Sequence, residues 1–307
     1  MVGGHRHAYR VVTHGGAASP SRDREGTERA AARGMHVLRG GGSPLDAAVA
    51  ACVSLEDDPR FNAGTGSNLR FDGRTIEMDA ACMDSDGRFG GVAALRDVKN
   101  PVLVARDVLG TPHNLLAGEG ALRYARARGH GPHDPWTERA QEKFDRLRGK
   151  LRDMSYDASE CEWDLDDLAR HWNFEEPLKA VLGPGDTVGA VASDGERFAA
   201  ALSTGGTMST LLGRVGDTPL PGCGLHAGPA GAVAVTGDGD HLARALLAYR
   251  AYGWLEGGLA PDEARDRGIA LFPARVDVGI IIAARSGASG GSNRDMAWSS
   301  ASEEGAG

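Results

Sequence analysis

The sequence predicts an α+β protein of layered sheets and helices, and three observations carry that prediction. Helical and strand patterns do not alternate regularly, which argues against a simple doubly wound sheet. Two halves of mixed strand and helix character flank one long polar segment, running from about Gly129 to Asp186. Glycine is plentiful at 45 residues while aromatics make up only 6%, a balance that favours small-residue packing and tight turns over aromatic stacking.

In chain order, Tyr9 to Gly16 reads as a strand entering a glycine turn, and Glu25 to Leu38 as a helix stopped by Gly40-Gly41-Gly42. The next helix is marked more strongly: Ser43 is its N-cap, Pro44 its first residue, Asp46 lies in its first turn, and its alanines permit close packing. Thr75 to Asp84 and Arg88 to Leu95 are strands joined at Asp86-Gly87, and Pro101 opens a short helix. The polar segment that follows is dense in charge without a strand pattern. An amphipathic helix fits within it, but its composition is that of an exposed linker. Strands return at Thr187 to Ser193, Phe198 to Ser203 and Ala232 to Thr236. Helices at His241 to Leu255 and Pro261 to Leu271 precede a final strand at Val276 to Ala283. Ser286 to Asn293 and Ser299 to Gly307 read as loop and tail.

The 307 residues are 41% apolar, enough for a sizeable core, and the net charge of -8 argues against a nucleic-acid or anionic-membrane partner. No run reaches the roughly 18 apolar residues of a membrane span, and the start MVGGHRHAYRVV lacks a signal-peptide apolar region, so the cytoplasm is the expected location. Cys52, Cys82, Cys161 and Cys223 are far apart and read as buried or free thiols.

The most informative position is Thr187. A flexible-looking segment ends in Gly183-Pro184-Gly185-Asp186 and runs straight into a buried-looking strand that opens on this threonine. Taken alone, Thr187 is far more often a β-branched residue starting a strand. The alternative is chemical: a threonine is a poor nucleophile unless a base takes its proton, and no His or Lys lies in the strand beside it. Its own α-amine can be that base, which requires a cut between Asp186 and Thr187.

Other motifs bear on the choice, each with a plain reading beside the functional one. Ser203 and Thr204 end a strand before two glycines, as a turn or cap would. Arg214 and Asp217 are three apart on a turn-rich loop; they make a surface pair of little worth, or an Arg fork and a carboxylate that together grip an amino-acid zwitterion. Val235 to Asp240 leaves a strand through a glycine bend into a helix, where backbone N–H groups can stabilise an oxyanion; the dinucleotide continuation G-x-G-x-x-G is missing. Leu55 to Ser67 is a tight loop or a carbonyl-lined cation site. Met83 to Arg88 is no calcium loop, because Gly87 comes too early and no twelfth-position Glu follows. His14 offers a base but has no nucleophile context, so it reads as structural.

With Thr187, STGG, GRVGDTP, TGDG, FNAGTGS and HGGAAS in register, the chain resembles the plant-type L-asparaginase and isoaspartyl peptidase family of N-terminal nucleophile hydrolases, from about Val11 to Ala283. The resemblance implies one domain over 1–307, a four-layer αββα sandwich. It also implies self-cleavage before the threonine into an α chain of 1–186, ending in the polar segment 129–186, and a β chain of 187–307. It implies hydrolysis of L-asparagine and β-aspartyl dipeptides through a β-aspartyl ester on Thr187. In that scheme Thr204 orients the Thr187 hydroxyl, Thr236 and Gly237 form the oxyanion hole, Arg214 holds the α-carboxylate and Asp217 the α-ammonium, and Asn62 stands behind them. No catalytic cofactor is implied. A structural sodium ion is, held by main-chain carbonyls in the loop of Leu55, Glu56, Asp58, Phe61, Ala63 and Thr65, as is a dimer of αβ heterodimers. Two departures stand out: the last strand, ARVDVGIIIA, lacks the family's usual paired glycines, and Asp240 stands where Glu is more familiar. Two rival functions stay open, a glycosylasparaginase and an uncleaved homologue that binds aspartyl ligands or a partner protein without turnover.

Overall fold

A computed structural model describes residues 8–70, 72–152, 170, 171, 173, 187–208 and 210–304; Asp186, Cys161 and most of the polar segment lie outside the described residues. In chain order the elements are β1 (Ala8–His14), α1 (Arg24–Arg39), α2 (Pro44–Glu56), β2 (Met78–Asp84), β3 (Phe89–Leu95), α3 (Pro101–Val108), β4 (Leu115–Ala117), α4 (Gly118–Ala127) and α5 (Glu138–Arg152). They continue with β5 (Val188–Ser193), β6 (Phe198–Thr204), β7 (Leu225–Gly228), β8 (Gly231–Gly237), α6 (Gly239–Ala245), α7 (Leu247–Glu256), α8 (Pro261–Ile269), β9 (Val278–Ala284), β10 (Gly287–Ser292) and β11 (Trp298–Glu304). The protein is α+β, as its sequence predicts.

One sheet has seven strands in the order β11-β1-β5-β6-β2-β3-β4, and the other four in the order β10-β9-β8-β7. Every pairing between these strands is antiparallel except β3 with β4. Side chains alternate between the two faces of a strand, and the core divides accordingly. Val11, Ala190, Ala201 and Ala80 of the larger sheet pack with α1, α2 and α3. Val12, Val191, Ala200 and Leu202 from that sheet's other face meet Ala227, Ala232, Ala234 and Ile281 of the smaller sheet. Val233, Val235, Ile280 and Ile282, on the smaller sheet's opposite face, pack with α7 and Ala264 of α8.

The expected capping of α2 is realised: Ser43 Oγ accepts from the Asp46 N–H at 3.1 Å, and the Asp46 carboxylate accepts from the Ser43 N–H at 3.2 Å. Several expectations need correction. The polar segment is not wholly an exposed linker, because α5 buries Ala140 and Phe144 against the main core. The single helix expected over His241 to Leu255 breaks at Leu246, whose φ of 50° is left-handed. The stretches read as loop and tail contain β10 and β11, which pair along β9 and β1. Their serines and glycines give little strand signal; the tertiary ladder supplies it. Gly290 lies beneath Trp298, where an added Cβ would come within 2.4 Å of the indole.

Candidate active site

Thr187 sits immediately before β5, between β1 and β6 in the larger sheet, and is only 5% exposed. The β5–β6 register pairs Val188 with Ser203, so Thr187 and Thr204 come next in line, and Thr204 is in turn paired with Asp79 of β2. Thr187, Thr204 and Asp79 therefore form one row across three strands, on the face that meets the smaller sheet.

From that sheet, Thr236 of β8 reaches across to the threonine. Its hydroxyl accepts the Thr187 N–H at 3.4 Å and the Ala17 N–H at 3.2 Å, and donates to the Thr187 carbonyl at 3.2 Å. Room for this contact comes from Gly279, paired with Thr236 on β9, where a Cβ would lie 2.8 Å from the Thr236 methyl. Strand β9 thus retains one glycine at the position that faces Thr236. Gly237 follows with φ 135°, its Cα so close to the Asp277 carbonyl that a Cβ would stand 1.9 Å from that oxygen. The Asp238 N–H is already given to Asp277, so it is not among the donors available at this bend.

The Thr187 hydroxyl lies 3.3 Å from the Thr218 hydroxyl, a partner that sequence reasoning missed. Its signal was weak, being one more hydroxyl in GRVGDTP. Thr218 directly follows Asp217 on this loop. The Asp217 carboxylate is 2% exposed, and its Oδ2 has no hydrogen-bond partner among the described residues. Burial pushes its pKa up to about 7 against the pull of the Arg214 guanidinium. Arg214 is not bridged to Asp217; Nε and Nη2 both donate to Asp240 Oδ2, at 3.2 and 2.7 Å. Gly239 leaves room for both groups, since a Cβ there would meet Asp217 Oδ1 at 2.6 Å and Arg214 Nη2 at 3.0 Å. A buried carboxylate with a free oxygen beside an arginine is suited to an amino-acid zwitterion.

Thr204 accepts the Gly206 N–H at 3.0 Å, and the Gly206 carbonyl accepts from the side-chain amides of Asn62 at 2.8 Å and Asn68 at 3.0 Å. Asn62 therefore stands one turn behind Thr204. His14, paired with Gly189, is fully buried where a Cβ on Gly189 would strike its ring. Desolvation lowers its pKa to about 3 against a weaker interaction with the Thr187 backbone, which makes it a poor proton acceptor and favours the structural reading.

In the loop after α2, the carbonyls of Leu55, Asp58, Phe61 and Ala63 each accept a backbone N–H within the loop, Leu55 from both Asp57 and Asp58, while those of Asp58, Phe61 and Ala63 keep a second lone pair. The Glu56 side chain is committed elsewhere, accepting the Val102 N–H at 2.9 Å, with its pKa raised to about 7 by burial. No group of three or more His, Cys, Asp or Glu among the described residues could hold a metal ion. Cys52, Cys82 and Cys223 are buried free thiols.

The asparaginase family model matches residues 7–307, and the chain belongs to that family of hydrolases. Similar relatives include a plant-type L-asparaginase of Pyrococcus furiosus, 39% identical over 273 residues that cover 85% of this chain and 84% of that protein. An isoaspartyl peptidase/L-asparaginase of Macaca fascicularis is 39% identical over 290 residues, covering 90% and 87%. The Homo sapiens protein of the same description is 37% identical over the same shares. Among the described residues no helix is long and apolar enough to cross a membrane.

Proposed function

We propose that the chain is an isoaspartyl peptidase with L-asparaginase activity that matures by cutting itself between Asp186 and Thr187. The observation that carries this reading is the seat of Thr187: a buried hydroxyl at a strand start, beside Thr218 and clamped through its backbone by Thr236. Thr187 Oγ attacks the residue-186 carbonyl, the acyl group moves from nitrogen to oxygen, and water hydrolyses the ester. The α-amine set free then serves as base for the same hydroxyl.

In the mature enzyme, Thr187 Oγ attacks the β-carbonyl of the substrate. Arg214 holds the α-carboxylate, and the unpartnered oxygen of Asp217 accepts from the α-ammonium. Thr236 and Gly237 stabilise the oxyanion, with Thr236 turning its hydrogen away from the Thr187 carbonyl. Thr204 orients the nucleophile, backed by Asn62. Ammonia or an amino acid leaves, and water cleaves the β-aspartyl ester.

The same reading includes a four-layer αββα sandwich, supported by the three separate core clusters on the faces of the two sheets. It includes a single domain divided at residue 187, an assembly of two αβ units and a cytoplasmic location. It also includes a sodium ion in the Leu55 to Thr65 loop, whose hard carbonyl oxygens suit that ion in stabilising the backbone behind the site. The test is intact-mass measurement of the purified protein over time. A fragment beginning Thr187-Val188-Gly189, with concurrent release of aspartate from β-aspartyl dipeptides, is the expected result; a 32.0 kDa species that never divides sinks the proposal.

A further inference from the structure

We propose that Arg70 is a positioning residue that fixes the backbone around Arg214 and thereby sets the preference for ligands bearing an α-carboxylate. The inference rests on the reading above, in which Arg214 clamps that group. Arg70 belongs to none of the motifs in the sequence, yet it is the largest side chain fully buried in the described protein. A guanidinium remains charged when buried, so it is tolerated only if its donors are matched.

Its Nη donors are spent on three segments, those of Thr207 and Thr210, of Glu77, and of Arg214. Nη1 gives to the Thr207 carbonyl at 3.0 Å and to Thr210 Oγ1 at 2.8 Å; Nη2 gives to the Glu77 and Arg214 carbonyls, both at 3.4 Å. Nε faces Glu77 Oε2 at 3.4 Å. The same Glu77 oxygen accepts the Gly213 N–H at 2.7 Å, and its other oxygen accepts from Arg96 at 2.7 Å. The Arg70–Glu77 pair therefore holds the N–H of Gly213, the residue before Arg214, and the carbonyl of Arg214 itself.

On its other flank the guanidinium lies on Gly206, where φ is 72° and a Cβ would come within 2.4 Å of Nη1. One buried cation thus ties the turn behind Thr204 to the loop that carries Arg214. A pillar without functional bearing would lower stability and leave ligand preference alone. A positioning group changes the preference itself.

The measurement is calorimetric binding of L-aspartate and of β-alanine, the same skeleton without the α-carboxylate, to the purified full-length protein and its variants. Wild type binds L-aspartate more tightly. Arg70→Met is expected to reduce that preference about tenfold, chiefly by weakening L-aspartate, with Arg70→Lys intermediate and Thr210→Val about threefold, the scale of losing charge-assisted hydrogen bonds. Thr210→Val touches only the rim of the network and carries the test should Arg70→Met fail to fold. A wild-type preference in folded Thr210→Val and Arg70→Lys overturns the role of Arg70. Absence of any preference in wild type instead overturns the assignment of Arg214, and this inference with it.

Discussion

A threonine hydroxyl at its ordinary pKa does not attack amides, so what matters at Thr187 is the group that takes its proton and the groups that hold it. On the proposed mechanism Thr187→Ala loses the nucleophile for both cutting and turnover, and is expected to leave a single uncut chain without activity. Normal fragmentation of that variant on a denaturing gel points instead to an outside protease. Asp217 yields a pH prediction. Its folded-state pKa of about 7 lies above the ordinary 3.8 of an aspartate, so the buried carboxylate lowers stability above pH 7, a penalty that fades as pH falls toward 3.8. Asp217→Asn should therefore raise Tm at pH 8, gain less at pH 5, and lose affinity for L-aspartate, a trade of function for stability. Equal changes in Tm at the two pH values, by calorimetry, speak against that account. The candidate site residues were legible because their neighbours in sequence are unusual: Thr187 follows a Gly-Pro-Gly-Asp lead, and Arg214 and Asp217 share a turn-rich loop. Thr218 and Arg70 were not legible, since one hydroxyl or one arginine in a chain shows nothing of what it will touch.

At the scale of elements, propensity succeeded where the element carries its own punctuation. The Ser43-Pro44 start of α2 is one case, and the Asp86-Gly87 turn between β2 and β3 is another. It failed where stability comes from elsewhere in the fold. Helix α5 is dominated by charge, yet Phe144 packs against the turn at Gly73, where a Cβ would lie 2.8 Å from its ring. Phe144→Ala is expected to cost about 3 kcal/mol in chemical denaturation; a loss below ~1 kcal/mol means the helix is not anchored. Leu246 poses the opposite case, a half-exposed side chain at a left-handed position between α6 and α7. Leu246→Gly should stabilise by roughly 1 kcal/mol, because a β-carbon is what makes that conformation costly. Unchanged or reduced denaturation midpoints contradict this.

Over the whole molecule, strand order matters more than strand content. Strands from before and after residue 187 are interleaved in the larger sheet: β1 lies between β11 and β5, and β6 is paired with β2. A cut before Thr187 breaks one peptide bond but leaves every ladder intact, so the two pieces should co-elute in native chromatography and separate only in denaturant. Their separation under native conditions is the contrary result. The fold class, most of the hydrophobic strands, the cap of α2, and the threonine, arginine and aspartate to watch are legible in residue order alone, because each is announced by residues within a few positions of it. Folding is needed before Thr236 grips the Thr187 backbone, Arg214 turns to Asp240, Gly189 and Gly279 clear space for His14 and Thr236, and Arg70 is buried. Those contacts join residues far apart in the chain, and their energies depend on burial and register, which exist only once the sheets have formed.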